Sequence, residues 1–262
     1  MPIVFRNVTA GYRRGITILR ELSCELTPPL VILGPNGAGK TTLFRTVLGL
    51  TPLLQGEVRI DEYDVNRING VPGLVATNLE EVYTLLKLPI KDLARLYLEL
   101  VGGSYEKFLD LVDRFNFRDR LNRDVFSLSA GEKRIALNLI ALATSCRYVL
   151  LDEPFENLDP RMRARVLEVI LKEARRIIMN THATWLLRKL DGWKALLMIQ
   201  GRVYGPIDAT RLPDLSIVKG RRSDAELTIR VDDEYYSLVS GEGLRISEMD
   251  SLDRLYEVMA GE

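Results

Sequence analysis

The run Gly34-Pro35-Asn36-Gly37-Ala38-Gly39-Lys40-Thr41-Thr42 has the residue types and spacing to grip a polyphosphate. It fits the pattern G-x-x-x-x-G-K-[ST] at every specified position. The glycines let the backbone wrap tightly with its N–H groups inward, and a helix that follows turns its positive end toward the phosphates. In such a loop Lys40 reaches the β- and γ-phosphates and the Thr41 hydroxyl holds Mg²⁺. A second constellation closes the apolar run Tyr148-Val149-Leu150-Leu151 with Asp152-Glu153-Pro154. A buried strand whose carboxyl end delivers two acids is the usual place for metal and catalytic chemistry in an open parallel sheet. Asp152 is expected to hold Mg²⁺ through water. Side chains alternate along a strand, so Glu153 points elsewhere and can polarise an attacking water.

These residues need elements to position them. Leu30-Val31-Ile32-Leu33 reads as a short buried strand before the loop, and Thr41 to Leu48 reads as a helix after it. Leu128-Ser129-Ala130-Gly131-Glu132 precedes a helical pattern from Lys133 to Ser145, and Ser129 with Glu132 makes a capping box. A capped helix start is itself an anion site. His182, the one histidine, follows the strand-like run Arg176 to Asn180. Strands are expected at Ile3–Val8, Thr17–Leu26 and Ala195–Gln200. Lys91–Val101 and Tyr105–Phe115 carry apolar residues at helical spacing, with Gly102-Gly103-Ser104 between them. Arg161–Arg175 and Ala183–Leu190 also read as helices. From about Pro213 the pattern changes to short strands at Glu226–Val231, Tyr235–Val239 and Leu244–Ile246, and to an amphipathic helix over Asp250–Met259.

Taken together and in this order, the motifs resemble those of the ATP-binding subunit of an ABC transporter. Gly34 to Thr42 matches its Walker A loop, Leu128 to Glu132 its LSGGQ signature, and Tyr148 to Pro154 its Walker B strand with the catalytic glutamate. Asn157-Leu158-Asp159 matches the D-loop, His182 the switch histidine, and Tyr12 the aromatic that stacks on adenine. The resemblance covers roughly residues 3 to 205. It implies an α/β fold: a P-loop core with a mixed sheet, an antiparallel β subdomain and a helical subdomain inserted at about 79–145. Residues 1–212 would form the ATP-binding domain, and 213–262 a small α+β C-terminal extension. It also implies ATP and Mg²⁺ as cofactors, and a second ATP-binding subunit whose ATP is met by Ser129, Ala130, Gly131 and Glu132. The expected membrane partner is a transmembrane permease subunit, which would place the chain on the inner face of the cell membrane. The closing serine–leucine helix is similar to the tails of exporter subunits, so export is expected over import.

The sequence departs from the family in two places. Ala130 stands where Gly is usual and Glu132 where Gln is common. A positive φ at residue 130 would cost Ala about 1–2 kcal/mol, and a negative φ nothing. The segment Gly73 to Glu81 lacks the Q-loop glutamine. Asn78 aligns best and is expected to offer its amide to Mg²⁺ or the attacking water, with Glu80 and Glu81 as competitors.

Composition bounds the alternatives. The chain has 262 residues, 47% hydrophobic and 27% charged, with zero net formal charge. These are the proportions of an ordinary globular protein. Its pI near 6.7 argues against a dedicated nucleic-acid binder. Cys24 and Cys146 suggest neither a disulfide framework nor a metal site, which suits a reducing cytosol. No apolar run approaches a membrane span; the uncharged helical run Ile135 to Cys146 is interrupted by Asn138. The N-terminus lacks the apolar region of a signal peptide. A soluble ABC-type ATPase of the iron–sulfur assembly kind would share every motif. A chromosome-clamp ATPase, suggested by LSAGEK, would need sustained heptads between Lys40 and Ser129, and none occur. A non-hydrolysing nucleotide switch is opposed by Glu153 and His182.

Overall fold

The computed structural model describes residues 2–12, 16–68, 71–241, 243–249 and 251–254. In chain order the elements begin with β1 (Ile3–Ala10), β2 (Leu19–Leu26), β3 (Leu30–Leu33), α1 (Lys40–Val47), β4 (Leu53–Ile60) and β5 (Tyr63–Asp64). Next come β6 (Val75–Thr77), α2 (Glu80–Tyr83), α3 (Ile90–Val101), α4 (Tyr105–Arg114), α5 (Ala130–Ala143), β7 (Tyr148–Asp152) and α6 (Pro160–Lys172). The last group is β8 (Ile177–Thr181), β9 (Lys194–Ile199), β10 (Arg202–Asp208), β11 (Leu215–Lys219), β12 (Leu227–Val231), β13 (Glu234–Ser240) and β14 (Leu244–Arg245). The chain divides into two compact units, one of residues 1–69 and 180–262 and one of residues 70–179.

The first unit contains three sheet regions. β2, β1, β4 and β5 form an antiparallel sheet in that order. β3 lies parallel to β9, which pairs antiparallel with β10. All four residues of β3 are buried, as in a parallel strand covered on both faces. β12, β13, β11 and β14 make a further antiparallel sheet. Its strand β11, Leu215–Lys219, was not foreseen in the sequence. The tail helix expected over Asp250–Met259 lies largely outside the described residues, and the short helix expected at Ala183–Leu190 is a single 3₁₀ turn, Leu187–Lys189.

In the second unit β6 lies parallel to β7, with Thr77 opposite Leu150. Every residue of β7 is buried, and α5 buries Ile135 through Ala143. α3 and α4 fall where the apolar spacing predicts them. Ser104 caps α4 by accepting from the Lys107 amide at 3.0 Å. Asp159 caps α6 at the Met162 amide, with Pro160 at the first helical position.

Candidate functional site

The first unit holds the phosphate loop. Buried β3 ends at Leu33, and the loop runs from Gly34 into α1. The N-cap of α1 is Gly39 at φ 102°, a backbone conformation that favours glycine and leaves no side chain to occupy the helix's first amides. Lys40 is buried, and its Nζ donates to the carbonyls of Gly34 at 2.6 Å and Pro35 at 3.1 Å. The ammonium is thus held at the mouth of the loop by acceptors that a phosphate can replace. Tyr12 is anchored through its hydroxyl, 3.2 Å from Thr42 Oγ1 and 2.8 Å from Arg45 Nη1. Its side chain stays 45% exposed, with the Arg45 guanidinium carbon 5.9 Å from the ring centroid.

The same unit brings its C-terminal segment to the loop. Asp253 accepts from the Asn36 backbone N–H at 2.6 Å and from Asn36 Nδ2 at 3.0 Å. Burial alone would raise the Asp253 carboxyl. The Asn36 amide, the Ser251 hydroxyl and the charges of His182 and Lys40 outweigh it and hold the group below its ordinary value. The segment is moored beside His182: Leu252 N donates to the His182 carbonyl at 3.1 Å, and Thr184 Oγ1 donates to the Met249 carbonyl at 2.6 Å. No motif pointed to Asp253.

The second unit holds the acids and the signature. β7 delivers Asp152, buried, and then Glu153, partly exposed at φ 41°. The sparsely used left-handed conformation turns the chain sharply at the expected catalytic acid. Ser129 caps α5 by accepting from the Glu132 amide at 3.3 Å, while Glu132 accepts from the Ser129 amide at 3.0 Å. Arg120 donates to Glu132 at 2.5 Å, and together these bonds lower the Glu132 carboxyl to about 2. Ala130 lies inside α5 with negative φ, so its replacement of Gly carries no strain. Gly131 is required for another reason. A Cβ there would stand 2.6 Å from the Asn157 carbonyl oxygen of the D-loop.

Asn78 is corrected by the structure. It is wholly buried, with its amide turned onto β7: Oδ1 accepts from Asp152 N at 2.7 Å, and Nδ2 donates to Asp152 O at 3.1 Å. Nδ2 also donates to Asn138 Oδ1 at 2.7 Å. An amide so committed does not reach out to Mg²⁺. The exposed acid of the segment is Glu80, which pairs with Lys133 of α5 at 2.7 Å. Sequence reasoning missed Asn138 and Arg134 as parts of this site. The signal for Asn138 was a polar residue inside an apolar helical run, which when buried must find partners.

Among the described residues, no group of three or more His, Cys, Asp or Glu could hold a metal. Thr41 and Asp152 are hard oxygen donors of the kind Mg²⁺ takes alongside phosphate and water. Among the described residues no helix is long and apolar enough to cross a membrane.

A phosphate loop, a buried strand ending in two acids and a capped signature helix are the parts of an ATP-driven cassette. The sequence profile of the ABC transporter family matches residues 20–156. A protein of Pyrococcus horikoshii described as an ABC transporter ATP-binding protein is 34% identical over 77% of this chain and 81% of its own. The glutamate/aspartate import ATP-binding protein of Escherichia coli is 28% identical over 79% of this chain and 92% of its own. A crystal structure described as a cobalt transport ATP-binding protein superposes with a TM-score of 0.88 at 33% identity, covering 98% of this chain and 100% of the other. That likeness therefore extends over the C-terminal sheet. A cassette solved as a dimer bound to ADP and Pi shares the fold, with a TM-score of 0.68 at 19% identity over 79% of this chain and 98% of the other. The chain belongs to the ABC transporter family, as one of its ATP-binding subunits and an ATP hydrolase.

Proposed function

We propose that this chain hydrolyses ATP in a dimer of ATP-binding subunits and thereby drives a separate transmembrane permease, which carries it on the inner face of the cell membrane. Gly34 to Thr42 hold the phosphates, Tyr12 stacks on the adenine, and Thr41 with Asp152 holds Mg²⁺, which neutralises charge on the phosphates when bound. Glu153 orients the attacking water. His182 contacts the γ-phosphate. Ser129 and Gly131 of a second copy close over the same ATP and exclude bulk water, and Asp159 caps the helix after the D-loop. The observation that carries this reading is the sharp turn at Glu153 directly after Asp152, at the end of a wholly buried strand. The named relatives include an import protein and, in Cereibacter sphaeroides, an export protein. The helix behind the export expectation lies largely outside the described residues. The proposal therefore fixes transport rather than its direction. A soluble partner in assembly finds no support among these relatives.

Glu153→Gln tests the reading. It keeps the shape and removes the base, so hydrolysis should slow by roughly 10²–10⁴-fold while ATP binding persists. With ATP and Mg²⁺ the variant should elute from size exclusion as a dimer. A variant that stays monomeric and hydrolyses at the wild-type rate sinks both roles.

A further inference from the structure

We propose that Asn78, Asn138 and Arg134 are positioning residues that aim Glu153 by fixing the peptide groups on either side of it. The inference rests on the reading of Glu153 as the catalytic base. The β6–β7 ladder has its last pair at Thr77 and Leu150, and the Asn78 amide still donates to the Leu150 carbonyl at 3.3 Å. Beyond that point β6 gives way to α2, and the place beside Asp152 lies past the end of the strand. The Asn78 side chain takes that place. A primary amide offers one C=O and one N–H side by side, as a peptide group does. It accepts from Asp152 N and donates to Asp152 O, so it prolongs the ladder to the residue before Glu153.

Asn138 fixes the far side of Glu153. Its Nδ2 donates to the Pro154 carbonyl at 2.8 Å, and its Oδ1 accepts from Asn78. The orientation of both amides follows from chemistry. Asp152 N–H can only donate, so it must meet Asn78 Oδ1. The Pro154 carbonyl can only accept, so it must meet Asn138 Nδ2, which leaves Asn138 Oδ1 for Asn78. Arg134 stands one helical turn before Asn138 on the same face of α5. Its Nη1 donates to Asp152 O at 2.8 Å and its Nη2 to Glu156 at 2.9 Å. Four hydrogen bonds thus hold Asp152 and Pro154, and a fifth ties the two asparagines together, while Glu153 itself sits at φ 41°. A backbone in a sparsely populated region persists only when its surroundings over-determine it. Both asparagines are fully buried, so loss of one leaves its partners unpaired in a dry setting.

The test is single-turnover hydrolysis by the full chain, with TNP-ATP binding measured in parallel. Asn78→Leu should lower the hydrolysis rate about 10–100-fold, because a misplacement of order 1 Å at a reacting group costs that much. Its nucleotide affinity should stay within about twofold. Arg134→Met, at the less buried end of the network, should fold as wild type and lower the rate in the same sense. The decisive readout is the Asn78→Leu/Glu153→Gln double variant. If Asn78 acts through Glu153, the double variant is no slower than Glu153→Gln alone. Equal factors in both backgrounds, or affinity falling in step with rate, overturn the proposal. So does a full rate in both Asn78→Leu and Arg134→Met. If Glu153→Gln itself hydrolyses at the wild-type rate, the underlying reading falls and takes the proposal with it. That result is distinct from a slow Glu153→Gln beside fast positioning variants.

Discussion

The phosphate loop of the first unit and the acid turn of the second both follow short, wholly buried strands, and they are held in opposite ways. The loop after β3 is shaped by backbone: glycines, a helix start without a side-chain cap, and a lysine resting on the loop's own carbonyls. The turn after β7 is shaped by side chains from elsewhere: Asn78, Asn138 and Arg134 take up its peptide groups. The first design is contained in one contiguous motif. The second draws its residues from positions as far as sixty apart in sequence, Asn78 and Asn138 being joined directly. A binding surface made of main chain can be written as a local pattern. An acid that must be aimed needs external struts.

The largest expected effect breaks the first region alone. Lys40→Ala removes the cation from the loop and should weaken ATP binding roughly 10²-fold, since hydrogen bonds to charged groups are worth about 1.5–3 kcal/mol. Equilibrium TNP-ATP displacement measures it, and unchanged affinity would dismiss this loop as the phosphate site. The acid turn should be intact in that variant, so circular dichroism should match wild type.

Gly131→Ala perturbs the second region by a single methyl. Alanine normally improves a helix interior by about 1 kcal/mol. Here its Cβ meets the Asn157 carbonyl, and overpacking costs about 1–3 kcal/mol. The expected sum is a net loss of up to about 2 kcal/mol, a fall in Tm of up to about 8 °C rather than a rise. A stabilised variant would mean that the D-loop yields freely.

Asp253→Ala sharpens the contrast from the loop's side. The loop already receives a carboxylate of its own chain at the Asn36 amide. That anion opposes an incoming polyphosphate, so its removal should raise ATP affinity about three- to tenfold at low salt, and less at high salt. Equal affinity in the variant would mean that the segment moves aside without cost.

The smallest effect is a pH dependence at the signature helix. Glu132 is lowered from an ordinary value near 4.5 to about 2 by Arg120 and the Ser129 amide. A depressed folded value contributes stability above pH 4.5 that is lost as pH falls toward 2. Glu132→Gln should therefore melt earlier than wild type at neutral pH, and the two curves should converge on acidification.

Much of this was legible in the sequence. Uninterrupted apolar runs gave β3 and β7 because strands buried on both faces have no polar side to show. Ser129 and Glu132 announced their cap three residues apart. Asn78 was misjudged because alignment by side-chain type ignores burial. An amide beside a nucleotide motif reads as a ligand contact, yet this one continues a β ladder. β11 escaped notice because Val218 interrupts the alternation of Leu215, Ser216 and Ile217, even though Pro213-Asp214 makes a turn just before the strand. The Asp253 contact joins residues 217 apart, a distance over which no local pattern carries information.

One feature makes the first unit open to observation without labels. The chain contains a single histidine, and it sits where Leu252 of the C-terminal segment meets the loop after β8. A proton NMR spectrum of the untagged chain in D₂O should therefore hold one imidazole Cε1–H resonance, assigned by default. Nucleotide arriving at the loop and the C-terminal segment leaving it would both be read from the movement of that one line.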